Sequence, residues 1–160
     1  MSEIKQNIVD IDLSFTGKKC IRFDNDDNRV VYINTSDMTL FSRLSKVYPK
    51  LIECANQVAT VTKGIDTTDE DNVITDIGLI GDRLVTIDTE MRNLIDEIFD
   101  APVSKAAAPD GSMYDLFDGK FRFEYIITAM IGQYGNDLTA EFSKLKKQFN
   151  KNVSKYGKEL

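Results

Sequence analysis

The stretch from Val73 to Ile98, VITDIGLIGDRLVTIDTEMRNLIDEI, decides the fold class. Its apolar residues recur at alternating steps of four and three, at Val73, Ile77, Ile80, Leu84, Ile87, Met91, Leu94 and Ile98. A spacing of 3.5 residues sustained over this length predicts one long amphipathic helix. Such a stripe can pack against other helices of the same chain, as in a helical bundle, or against a second copy of the chain.

The segment upstream predicts a second helix that could cover this stripe. Its apolar residues have the same spacing and are Leu40, Leu44, Val47, Leu51, Cys54 and Val58. Thr35, Ser36 and Asp37 are all suited to cap a helix N-terminus, and Gly64 is suited to end it. Two long helices joined by the short acidic stretch 66–72 therefore predict an αα-hairpin over about Ser36 to Ile98.

The first third of the chain has a different period, in which every second residue is apolar. Residues 9–15 alternate strictly, and 19–23 and 29–34 are rich in β-branched and aromatic residues. Period two predicts half-buried strands, and the polar Asp24–Asn28 cluster predicts a tight turn between two of them. We therefore expect an antiparallel β-meander over residues 7–34.

Downstream of the hairpin, residues 100–119 contain Pro102, Pro109 and two Asp-Gly pairs, which predict an irregular segment. Residues 121–134 predict a buried helix, and Asn136 or Asp137 is suited to cap a last one. The apolar stripe of that last helix would be Leu138, Phe142, Leu145, Phe149, Val153 and Tyr156. We thus expect a single domain, 1–160, that is mainly α with an N-terminal antiparallel β-meander (α+β). Its helical part, 36–160, would form a bundle from the αα-hairpin and C-terminal helices.

Composition excludes several classes of enzyme. Among the 160 residues there is no His, which removes histidine-based triads and the commonest metal ligand. The two cysteines, Cys20 and Cys54, lack CxxC spacing, and no glycine-rich phosphate loop is present. Asp24–Asn28 lacks the Gly and Glu that a calcium loop needs further on, so a turn explains it. We therefore predict no catalytic residues, no metal and no cofactor.

Charge is distributed unevenly along the chain. The net charge is −6, yet residues 1–142 carry −11 and residues 143–160 carry +5. An acidic body disfavours binding to nucleic acid, whose phosphates demand basic surface. The basic end is consistent with a solvated helix end, with docking onto an acidic partner or the chain's own body, or with nucleic acid. No apolar run suits a membrane span and Met1–Gln6 lacks a signal-peptide core, so we expect a cytosolic chain.

Three segments resemble a known family. Asp88–Val103, DTEMRNLIDEIFDAPV, resembles the E-M-R-x-x-I-D-x-x-F-G-x-P-V segment of the small tail assembly chaperones of phages and prophages of low-GC Gram-positive bacteria. Met113–Gly119, MYDLFDG, resembles their M-x-x-Y-x-L-x-x-G segment, and Ile33–Leu44 resembles their entry from strand to first helix. The chain departs from the family at Ser104, where a Cys is frequent, in its Ala-rich 106–108 and in having no Trp.

The resemblance implies a non-enzymatic function. Chaperones of this family act in the host cytoplasm, bind the long apolar tape measure protein, assist assembly of the tail tube around it and are absent from the finished virion. Tape measure protein is therefore the expected partner and other tail proteins are further candidates, while the heptad stripe of Val73–Ile98 leaves self-association open. Two other functions stay open from the residues: a structural tail component, such as a terminator or connector ring subunit, and a small nucleic-acid-binding regulator.

Four apolar residues of the irregular segment are the candidate partner-binding residues. They are Met113, Tyr114, Leu116 and Phe117. Exposed apolar side chains in a loop are a common recognition feature. The alternative is that these residues close the end of the helical bundle.

Overall fold

The computed structural model of the protein describes residues 7–13, 18–63 and 70–159, and within them the chain is mainly helical. An N-terminal antiparallel pair of strands precedes the helices, which confirms the predicted α+β class. The elements are β1 (Lys19–Arg22), β2 (Val30–Ile33), α1 (Leu40–Lys63), α2 (Glu70–Phe99), α3 (Val103–Ala107), β3 (Leu116–Phe117), β4 (Lys120–Phe121) and α4 (Arg122–Glu159).

The N-terminal sheet has two strands in its described part, where the sequence predicts three. β1 pairs antiparallel with β2, from Lys19 opposite Ile33 to Arg22 opposite Val30. The first predicted strand is wrong for residues 7–13, which form no strand and expose Ile8, Val9, Ile11 and Leu13. The remainder of that prediction, 14–15, lies outside the described residues. In this sheet β2 buries the side chains of Val31 and Ile33, whereas β1 is mostly exposed. A third strand beside β1 would therefore have little apolar surface to bury.

α1 and α2 form the predicted antiparallel hairpin. The Arg43 guanidinium near the start of α1 donates to the carbonyl of Ile98 at the end of α2, over 2.8 Å. The Asp37 carboxylate accepts a hydrogen bond from the Thr39 amide, 2.9 Å away, and so caps the turn that leads into α1, as predicted. The predicted stop at Gly64 lies outside the described residues. Both heptad stripes enter the core, which includes Leu40, Val47, Leu51, Cys54, Val58, Ile87, Met91, Leu94 and Ile98.

The irregular segment 100–119 is tied to the second half of α2 by polar contacts. The Arg92 guanidinium donates to the carbonyls of Ala108 and Gly111, at 2.9 and 3.0 Å. Asp96 accepts from the Ser104 amide at 2.8 Å, and Asp88 accepts from the Met113 amide at 2.7 Å. The segment Asp88–Val103 thus has a structural role, because its charged side chains form hydrogen bonds with the backbone of the loop that follows it.

The C-terminal part is one helix, so the predicted second start at Asn136 or Asp137 is wrong. α4 runs unbroken from Arg122 to Glu159 through Gly132 and Gly135. The Asp137 carboxylate accepts from the Thr35 hydroxyl and pairs with Lys19, 2.9 Å away, instead of capping a helix. Two glycines weaken a helix but do not end it when the flanking turns favour continuation.

The position of α4 along the hairpin is offset. Its first turn lies beside the middle of α2, because the Phe123 amide donates to Met113, whose own amide reaches Asp88. Its Tyr134 packs on Phe99, the last residue of α2. α4 therefore runs in the same direction as α2, covers only its second half, and then continues beyond the end of the hairpin.

Candidate functional site: an apolar groove between α1 and α4

An apolar groove of about 480 Å³ lies between α1 and α4. One wall is formed by Phe41, Leu44 and Tyr48 of α1, and the other by Ile127 and Ile131 of α4. Ser45, Pro49 and Thr128 complete the lining. A concave, mostly apolar surface with a few hydroxyl groups is the usual form of a site that takes an apolar side chain or helix.

The groove exists because each helix has an apolar stripe wider than the core needs. On α1, Phe41 and Tyr48 each follow a fully buried residue, Leu40 or Val47, and so lie at the border of the buried stripe. On α4, Ile131 follows the buried Met130 in the same way. These border residues line the groove from its two sides, and they remain partly exposed.

The groove continues toward the β3–β4 hairpin. A second lobe shares Tyr48, Ile127 and Thr128 with the first and ends at Lys120 and Tyr125. The Tyr125 hydroxyl donates to the carbonyl of Phe117 over 2.7 Å, which fixes the hairpin beside the start of α4. The apolar groove and the hairpin are therefore parts of one continuous surface.

Two of the four predicted partner-binding residues belong to the body of the protein. Met113 is fully buried, so the prediction that its side chain is exposed is wrong, because the Asp88–Met113 and Phe123–Met113 backbone contacts draw it inward. Tyr114 is partly buried, and its hydroxyl donates to the carbonyl of Leu84 over 2.8 Å. These two residues close the bundle, as in the alternative considered from the sequence.

The other two residues, Leu116 and Phe117, lie on the surface in β3. Leu116 is exposed, and the half-exposed ring of Phe117 lies under the Arg122 guanidinium at 4.8 Å. The pKa of Asp115 is lowered, first by its hydrogen bond from Ser112 and further by Arg122, so a negative charge is held beneath the hairpin. Leu116 and Phe117 thus remain available to a partner, and their role in binding stays a prediction.

Several groups with shifted pKa values lie in the core or where the helices meet the N-terminal segment. Burial raises the pKa of Cys54 to about 11 and that of Tyr134 to about 12. The hydrogen bond from Thr35, followed by Lys19, lowers the pKa of Asp137. For Asp37, burial opposes a lowered pKa but the hydrogen bonds from Thr39 and Arg43 outweigh it.

Within residues 7–13, 18–63 and 70–159, three or more His, Cys, Asp or Glu side chains nowhere gather as a metal site would require. The carboxylates of the Asp24–Asn28 turn are engaged locally, since Arg29 pairs with Asp24 at 2.7 Å and Arg22 with Asp27 at 2.8 Å. Over the same described part of the chain, every helix is too short or too polar to cross a membrane.

Sequence reasoning placed the site on the loop and missed the groove. The signal that could have found it is the second apolar residue that follows a stripe position, as in Leu40-Phe41 and Met130-Ile131. Such pairs widen a stripe beyond the seam of a two-helix contact. Comparison of the chain with protein-family models, curated proteins and solved structures finds no match.

Proposed function

We propose that this chain is a phage tail assembly chaperone that binds the tape measure protein. The observation that carries the proposal is the apolar groove between α1 and α4, which runs up to the exposed β3–β4 hairpin. The sequence resemblance of Asp88–Val103 and Met113–Gly119 supports the same function. The chain would act in the host cytoplasm during assembly and be absent from the mature virion.

The chemistry of the groove suits an amphipathic helix as the occupant. Its walls are aliphatic and aromatic, and its length follows two neighbouring helices, as in helix-in-groove recognition. An apolar stripe of a tape measure helix would otherwise be exposed to water before the tail tube surrounds it. The net charge of −6 on the chaperone would keep such a complex soluble.

The direct test is co-expression of the full chain with the tape measure protein, taken as the product of the longest reading frame downstream of its gene. The wild-type chain is expected to keep that protein soluble and to co-purify with it. Phe41→Glu combined with Ile131→Glu places two charges in the groove and should weaken binding by about tenfold or more. Tyr32→Glu, an equally apolar-to-charged change on the exposed face of β2, is the matched control and should leave binding unchanged.

Leu116 and Phe117 are tested separately. Leu116→Ser with Phe117→Ser should weaken binding if the hairpin forms the end of the binding surface. A tape measure protein that stays insoluble beside the folded wild-type chain would overturn the proposal. Defined rings of this chain in purified particles would instead assign it to the structural tail components.

A further inference from the structure

Among the residues that the structure describes, the offset of α4 leaves two matching surfaces uncovered at opposite ends of the molecule. We call residues 138–159 of α4 the arm, and α1 from Ile52 to Lys63 with α2 from 70 to Leu84 the tip. The arm extends past the end of α2, and the tip extends before the start of α4. In the middle of the molecule, between these ends, α4 packs on the hairpin as a third helix.

The arm continues the buried face of α4. Residues seven and eleven apart lie on the same side of an α-helix. By that rule, Phe142 and Phe149 follow Ile131, and Leu145 follows the fully buried Tyr134. Yet Phe142, Leu145 and Phe149 are 51, 58 and 64% exposed. The arm therefore carries a core-type stripe that the described part of its own molecule does not cover.

The tip continues the face of the hairpin that α4 covers further along. Ile77 lies on the same side of α2 as Leu84, Ile95 and Phe99, at steps of seven, eleven and four residues. Ile95 and Phe99 are buried, and the carbonyl of Leu84 accepts from Tyr114. Ile77 lies about two helical turns before Leu84, farther from α4 along the helix, and is 52% exposed. On α1, Ile52 is similarly exposed just past the groove residue Tyr48.

The two surfaces also have opposite charge. Among the side chains that the structure describes, the arm carries four lysines and one glutamate, whereas the tip carries three acidic and two basic residues, Glu53, Asp76 and Asp82 against Lys63 and Arg83. Opposite net charges favour association of these surfaces and oppose contact of arm with arm or tip with tip. An apolar stripe on a basic helix thus matches an apolar face on an acidic hairpin.

We infer that the arm of one copy docks on the tip of a second copy and there takes the third-helix position that α4 occupies within one molecule. The packing would repeat the intramolecular one, with the apolar stripe around Leu145 and Phe149 of one copy against Ile77 of the other. Because arm and tip are different surfaces, the contact can close reciprocally in a dimer or continue from copy to copy. The inference concerns the chain alone and does not depend on a tape measure partner.

The test is sedimentation velocity of the purified full chain over a wide concentration range. The wild-type chain should associate, and added salt should weaken the association. Leu145→Glu with Phe149→Glu in the arm should weaken it at least about tenfold, and so should Ile77→Glu in the tip. All these residues are exposed, so the variants should keep the wild-type circular dichroism. Tyr32→Glu is the matched control and should associate as the wild type does.

Mixing the two variants gives the decisive result. Neither variant should associate alone, but an equimolar mixture should form a complex of one copy of each, because one intact arm still meets one intact tip. A tip variant that still associates alone would show that the arm binds another arm, and would overturn the inference. A wild-type chain that stays monomeric throughout would also overturn it, while leaving tape measure binding to be judged by co-expression.

Discussion

The ring centroid of Tyr134 lies 6.1 Å from that of Phe99, and the planes of the two rings are inclined by 38°. Phe99 is the last residue of α2, whereas Tyr134 lies in the first half of α4. Both side chains are fully buried. This contact marks where the three-helix packing ends, and beyond it the apolar side chains of α4 emerge into solvent.

Truncation of Tyr134 should be costly. Tyr134→Ala is expected to lower the free energy of unfolding by about 3–5 kcal/mol, because a fully buried aromatic ring leaves a cavity. Tyr134→Phe keeps the ring and should cost less than about 1.5 kcal/mol at neutral pH. Urea unfolding followed by circular dichroism measures both. Equal losses in the two variants would contradict a role for the ring in packing.

Tyr134 should also make the free energy of unfolding depend on pH in the alkaline range. Burial raises the pKa of the Tyr134 phenol from 10.0 to about 12. A group whose pKa is raised by folding contributes stability that is complete below its unfolded pKa and is lost as the pH rises through its folded pKa. Wild-type stability should therefore fall relative to Tyr134→Phe between pH 10 and 12. Parallel pH profiles of the two proteins would contradict the buried environment.

Asp137 should stabilise the junction between α4 and the N-terminal hairpin in a pH-dependent way. Its pKa is lowered from 3.8, first by the hydrogen bond from Thr35 and next by Lys19. A carboxyl whose pKa falls on folding contributes stability that is present above 3.8 and is lost as the pH falls through the lower folded value. Asp137→Asn should cost about 1–3 kcal/mol at pH 7, since it removes a hydrogen bond to a charged group.

The control for Asp137 is a comparison of urea unfolding at pH 7 and below pH 4. The difference between the wild type and Asp137→Asn should shrink on acidification, because the wild-type carboxyl becomes neutral as well. A difference that stays constant with pH would show that the charge of Asp137 is not what stabilises the junction.

The two cysteines should react at very different rates. Cys20 is exposed on β1, whereas Cys54 is buried in α1 and its pKa is raised to about 11, first by burial and then by Glu90 and Glu53. Only the thiolate is nucleophilic, so Cys54 should remain unreactive at pH 8. A chromogenic disulfide reagent should label one thiol rapidly and the second only on unfolding. Cys20→Ser should abolish the rapid phase, and rapid labelling of both thiols in the wild type would contradict the structure.

The helical hairpin could be predicted from the sequence because two consecutive heptad stripes, joined by a short acidic stretch, can bury one another. Leu51 and Met91 are fully buried, as their spacing indicates. The strand predicted at 9–15 is wrong for residues 9–13, since alternation describes a side-chain pattern and not the presence of a partner strand. Val9 and Ile11 alternate correctly and yet are exposed.

The candidate site was less predictable, because it depends on distances that one-dimensional patterns do not contain. Met113 and Phe117 are both apolar residues of one short loop, but one is drawn inward by Asp88 and the other is not. The groove depends on the offset of α4 along the hairpin. Arg92 and Asp96 help to set that offset, because they hold the loop 100–119 against α2. Neither the sign of that offset nor its size follows from helix periodicity.

Substitution by alanine should have opposite effects at Gly135, inside α4, and at Gly111, in the loop before it. Gly135 lies in the helix interior, and an added Cβ there would have no neighbouring atom within 4 Å outside its own helical turns. Gly135→Ala should therefore stabilise the protein by about 0.5–1 kcal/mol, because alanine loses less backbone entropy in a helix. Gly111 has φ near +81°, and a Cβ there would lie 2.5 Å from the Asp115 carboxylate. Gly111→Ala should destabilise the protein by about 1 kcal/mol or more.

Urea unfolding of the two alanine variants compares these glycines in one experiment. A helix broken near Asn136, as the sequence alone suggests, would need a glycine with positive φ at the break, and Gly135→Ala would then destabilise like Gly111→Ala. Stabilisation by Gly135→Ala is the result that a continuous helix requires. Since the arm is joined to the body through this turn, the sign of the change also reports whether the arm leaves the molecule as a straight extension of the helix that carries Tyr134.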